Sequence, residues 1–113
     1  MKNKATINGV EIEEGSGNPY ADIGYPDANE MLIKAKLMHE IARILKSRKL
    51  TRHNAAVLLD IPQPQLSEIL LGKFRDVREA KMMECLNRLG RDVDIVVKKT
   101  GRNASGHTQV VVA

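Results

Sequence analysis

The chain's 113 residues carry a formal net charge of +4, with 42% hydrophobic but 3% aromatic residues, no Trp and a single Cys. These bounds suit one domain with tails around an aliphatic, Met-rich core. They exclude an internal disulfide, and no apolar run approaches the ~20 residues that span a bilayer. The charge is uneven: residues 1–40 hold four Lys/Arg against seven Asp/Glu, whereas residues 41–113 hold 14 against seven, a basic body that suits a polyanionic partner and equally an ordinary solvated surface.

Residues 1–26 form an arm. Asn8-Gly9, between Ala5-Thr6-Ile7 and Val10-Glu11-Ile12, is a hairpin-type turn signal, although flanks this short make a lone hairpin marginal. Gly15-Ser16-Gly17-Asn18-Pro19 is a flexible break, and Tyr20, Ile23 and Tyr25 are apolar enough to dock. The arm is expected to be partly disordered, or ordered by contact with the body or a partner. It lacks the apolar h-region of a signal peptide, so the cytoplasm is the expected location.

Asp27-Ala28-Asn29-Glu30 has capping-box spacing and should open a helix running to about Ser47. Leu37, Ile41, Ile44 and Leu45 give it one apolar stripe, extended backwards by Ile33 and Met38, and Lys46, Arg48 and Lys49 suit its negative end. From Leu50 to Lys73 the chain predicts two short helices around a tight turn. Thr51 can N-cap the first, which carries Ala55, Ala56, Leu58 and Leu59. Asp60-Ile61-Pro62 is the turn. Pro64 falls in the first turn of the second helix, Leu66, Ile69 and Leu70 share a face, and Gly72 is a stop. After the basic loop Lys73-Phe74-Arg75, the sequence Asp76-Val77-Arg78-Glu79 offers a second capping box. It would open a helix with Met82, Met83, Cys85, Leu86 and Leu89 that stops at Gly90. The period then changes to alternation in Arg91 to Lys98, where Val93, Ile95 and Val97 make one apolar row, and Gln109 to Val112 is a second strand candidate. The two could pair as a hairpin. A single hairpin is weak by itself, so this row is expected to be a dimer interface with a second copy.

Within Leu50–Lys73, a small residue (Ala56), an apolar turn residue five later (Ile61) and an apolar residue five later again (Leu66) let two helices lock at a steep angle. This spacing resembles the helix-turn-helix of the Cro/repressor-like (XRE) family of DNA-binding regulators, over about Asp27 to Gly90. Asp60 stands where that family usually has glycine, and Pro62 where a Ser, Thr or Asp cap is usual. The resemblance implies a mainly α, lambda-repressor-like bundle of about four helices, followed here by the C-terminal β-hairpin. The domains would be the arm 1–26, a DNA-binding domain 27–90 and a dimerisation element 91–113. It implies a sequence-specific repressor, homodimeric on double-stranded DNA with a near-palindromic operator. The run Leu-Gly-Arg-Asp-Val-Asp-Ile-Val-Val after the motif also looks like a subgroup of small XRE proteins that act as autoregulating antitoxins. A toxin protein is thus a candidate partner for the acidic arm.

The second helix should lie in the major groove with Gln63, Gln65, Ser67 and Glu68 outward. Gln can pair with adenine, Ser with several base edges, and Glu with cytosine N4. Carried over from the family by position, the base-reading sites fall on Gln63, Pro64, Ser67 and Glu68, of which Pro64 cannot donate. Phosphate contacts are expected from Arg52, Asn54, Lys73 and Arg75. No catalytic constellation is present: His39, His53 and His107 lie on different elements, one Cys forms no zinc-type cluster, and no cofactor is expected. The rival to a DNA-binding regulator is a protein-interaction module that uses helix-turn-helix geometry for assembly alone.

Overall fold

The computed structural model describes residues 4–7, 10–13, 18–22, 24, 26–102 and 104–113. Two strands open it, β1 (Lys4–Ile7) and β2 (Val10–Glu13), antiparallel with Ile7 opposite Val10. This is the pairing that Asn8-Gly9 predicts, and the turn itself lies outside the described residues, as do Gly15 to Gly17, Ile23 and Tyr25. A single turn of helix follows, α1 (Pro19–Asp22). The side chain of Asn18, itself buried, accepts from the Tyr20 amide at 3.0 Å and donates to the Ala28 carbonyl at 2.9 Å, so it starts α1 and ties it to the next helix. Tyr20 packs half-buried against the core.

The long helix α2 (Ala28–Arg48) buries Met31, Leu37, Met38, Ile41, Ile44 and Leu45, spaced so that they form one stripe. It ends where Lys49 takes a left-handed conformation, φ 54°. Its start differs from expectation. The Asp27 side chain makes no cap bond, because its carboxylate pairs instead with the Arg75 guanidinium. Three further helices, α3 (Arg52–Leu59), α4 (Gln63–Leu70) and α5 (Glu79–Arg88), pack around α2. The core lies among these four: Ile41, Ile44, Leu59, Leu66, Met82 and Leu89 are all but fully enclosed. Cys85 is a small core residue, and burial pushes its thiol up from the ordinary cysteine range.

The second capping box also fails. Phe74 is buried and its carbonyl accepts from the Val77 amide at 3.0 Å, so the chain turns at 74–77 and α5 begins only after Arg78, with no side-chain cap. The expected C-terminal hairpin does not form within the chain: residues 91–102 and 104–113 contain no strand. Alternation tells which side chains share a face, not whether a partner strand exists. Val93 and Val110 each pack half-buried against the helical core, while Ile95, Val97, Val111 and Val112 stay exposed. Among the described residues no helix is long and apolar enough to cross a membrane.

Candidate nucleic-acid interface

The α3–turn–α4 unit is built from local bonds that its sequence supplies. Thr51 is extended, and its hydroxyl accepts from the Asn54 amide at 3.1 Å, which starts α3. Ala55, Ala56 and Leu59 face inward. Asp60 is left-handed, φ 55° and ψ 50°, the conformation that favours glycine and that Asp can still adopt. Its amide donates to the Val57 carbonyl at 3.3 Å and the next amide, Ile61, to the Ala56 carbonyl at 3.0 Å. These two bonds make a Schellman motif, with Ile61 buried beneath it. From α5, Lys81 Nζ reaches the Asp60 carbonyl at 3.3 Å and braces the turn. The same two-bond pattern closes α4 at Gly72, φ 101°, and α5 at Gly90, φ 83°. Pro62 gives α4 no side-chain cap, and Pro64 in its first turn has no amide hydrogen to satisfy.

Leu66 and Ile69 bury one face of α4, and the opposite face carries the sequence-predicted readers. Gln63, Gln65 and Glu68 are exposed and Ser67 is half-buried. Gln63 and Ser67, four residues apart, share a row.

The four residues expected on phosphate do not form one set. Arg52 Nη1 donates to Ser67 Oγ at 2.8 Å, so it lies beside α4. The side chain of Asn54 is exposed next to Thr51, and Lys73 is exposed without an ion pair among the described residues. Arg75 points the other way: its guanidinium pairs with Asp27, and its carbonyl accepts from Lys34 Nζ at 2.5 Å. Lys34 is the residue that sequence reasoning missed. It is buried on the stripe of α2, with Nζ 3.7 Å from Glu30 and 3.8 Å from Glu79. The Glu30–Lys34 spacing was a readable signal, but the Arg75 carbonyl and Glu79 come from distant chain. Lys34 thereby fixes the loop that leaves α4.

Charge sorts by partner. Lys34, Arg43, Arg75, Lys81 and Arg88 pair with carboxylates. Arg48 and Arg52 instead donate to neutral oxygens, the Leu89 carbonyl at 2.6 Å and Ser67 Oγ. Lys46, Lys49 and Lys73 are exposed, with no side-chain partner among the described residues. From Lys46 to Arg75 the chain carries six Lys/Arg against two Asp/Glu. Of the residues expected at a dimer interface, Val93 lies against its own core, whereas Ile95 is 78% and Val97 92% exposed. Among the described residues no group of His, Cys, Asp or Glu could hold a metal ion.

The Asp27–Arg75 pair makes the fold sensitive to acid. The hydrogen bond from Arg75 holds the Asp27 carboxyl below its ordinary range, against an opposing effect of burial. A carboxylate depressed in the folded state stabilises above the unfolded value, about pH 4, and that stability disappears as pH falls through the lower folded value. Thermal melts below about pH 4 should therefore lose stability more steeply in the native chain than in Asp27→Asn. Superimposable pH profiles would show that the pair contributes nothing.

A helix-turn-helix domain family model matches residues 19–98. Among solved structures, a protein provisionally designated an XRE-family transcriptional regulator is similar at a TM-score of 0.72 and 32% identity, over 78% of this chain and 100% of its own. No curated protein matches.

Proposed function

The chain belongs to the XRE-like helix-turn-helix family and is a DNA-binding transcription regulator; from that premise we propose that it is a homodimeric repressor that reads a near-palindromic operator with α4. One observation carries this reading: α4 buries Leu66 and Ile69 and turns Gln63, Gln65, Ser67 and Glu68 away from the core, beside uncompensated cations. Such a helix fits the major groove, where Gln pairs with adenine and Glu accepts from cytosine N4. Lys73 and the N-terminal turn of α3, with Asn54, supply phosphate contacts. Residues 1–26, 27–90 and 91–113 serve as arm, DNA-binding domain and dimerisation element. The exposed Ile95 and Val97 support the last of these, because an exposed apolar row with no partner strand among the described residues invites pairing with a second copy.

The test is a gel shift on the DNA upstream of the chain's own gene, with a salt titration. Affinity should fall steeply as salt rises. Gln63→Ala should weaken operator binding by ~1–3 kcal/mol and leave random DNA nearly unaffected. Equal loss on both would remove Gln63 from base reading, and no salt-dependent binding would favour a pure protein-interaction module. A finer reading is an autoregulating antitoxin. It is supported by the likeness of the run Leu89 to Val97 to that subgroup and by the arm's excess of acid, which suits a basic partner. Co-expression with the neighbouring reading frame tests it: the partner should co-purify through residues 1–26.

A further inference from the structure

Arg52 is the first residue of α3, yet its guanidinium lies at α4, bonded to a hydroxyl fifteen positions on. Arg52 borders a cleft together with Lys46, Leu50, Ala55 and Leu70, and the bond to Ser67 directs its guanidinium toward α4. A serine hydroxyl has one proton and two lone pairs. At 2.8 Å, Arg52 Nη1 fills one lone pair of Ser67, and the Ser67 proton is left to donate outward. The guanidinium keeps its other N–H groups and has no acceptor atom. The two side chains together therefore present donors to any ligand of this side of α4, on the row that Gln63 begins.

We infer that Arg52 and Ser67 form one reading unit for guanine, with Arg52 a specificity-determining residue rather than a phosphate contact. In the major groove guanine offers two neighbouring acceptors, O6 and N7. Adenine sets an amine donor beside its N7, cytosine shows a donor, and thymine has one acceptor next to a methyl group. A pair of fixed donors matches guanine and leaves an unpaired or opposed group at the other three. The bond to Ser67 holds the guanidinium in place before DNA arrives, so little side-chain freedom is lost on binding. The inference rests on the proposed reading that α4 lies in the major groove.

The experiment selects sites from a random duplex pool with the full chain, then with Arg52→Ala, Ser67→Ala and the double variant. The native chain should select a half-site with one fixed G·C pair. Each single variant should relax that same pair, with discrimination falling by about ten-fold, and the double variant should do no worse than either single one. The salt slope on random DNA should stay unchanged. Arg52→Lys keeps the charge but loses the planar fork, and it should relax the pair too. Melting curves identify any variant that fails to fold, and Arg52→Lys then decides. If Arg52→Ala weakens all sequences alike and lowers the salt slope by about one, Arg52 is a phosphate contact and the inference is wrong. Relaxation of different base pairs by Arg52→Ala and Ser67→Ala would also overturn it. If the native chain selects no site at all, the proposed function itself fails and takes this inference with it.

Discussion

Leu59→Ala should destabilise the helical domain by about 2–5 kcal/mol. Leu59 has no exposed surface and ends α3 inside the core formed with α2, α4 and α5. Truncation removes buried methyl groups and leaves a cavity that the flanking helices cannot close, because the Schellman motif at Asp60 fixes where α3 stops. Domains hold only ~0.05–0.15 kcal/mol per residue, so a large share of the stability would disappear. The melting temperature should fall by about 10 °C or more, with DNA binding lost in the same transition. A melting curve like that of the native chain would show that the α3–α4 unit is not held by this core.

The second large effect concerns assembly. Ile95→Asp should leave the monomer folded, because Ile95 is 78% exposed in the single chain, yet it places a charge in the row proposed to join two copies. A monomer engages one half-site and loses the avidity of linked binding, worth about 10²–10⁴-fold. Operator affinity should fall by that order while random-DNA affinity falls much less. Light scattering during size-exclusion chromatography reads the assembly directly. A variant that remains dimeric at micromolar concentration, or a native chain that is already monomeric, would remove Ile95 from the interface.

The parts of this fold that were legible are those set by local chemistry. Thr51 as a cap, Gly72 and Gly90 as stops, and Leu66 and Ile69 as one buried face all follow from spacing and from single-residue conformational preferences. What escaped depends on distant chain. Asp27 has the spacing of a cap, but Arg75, 48 residues away, binds its carboxylate. Lys34 looks like a polar interruption of an apolar stripe until the Arg75 carbonyl is placed beside it. At the site, spacing along α4 indicated which side chains point outward. It could not indicate that Arg52 crosses from α3 to Ser67, because that depends on the angle between two helices. Strand alternation after Arg91 predicts a hairpin, but among the described residues the row finds no partner strand.

The sorting of cations by partner also bears on how fast the protein finds its target. An arginine bonded to a carboxylate is largely cancelled at a distance, whereas one bonded to a carbonyl or hydroxyl keeps its full monopole. Arg48 and Arg52 are of the second kind, and they sit with Lys46 and Lys49 where α2 ends and α3 begins. The pairs Arg43–Glu40 and Lys81–Glu84 lie elsewhere on the helices. That junction thus holds a cluster of uncancelled positive charge at one end of the helix-turn-helix. A polyanion would be drawn toward that end and partly oriented before contact. Encounters should be fast in dilute buffer and slow markedly as ionic strength shortens the reach of the field.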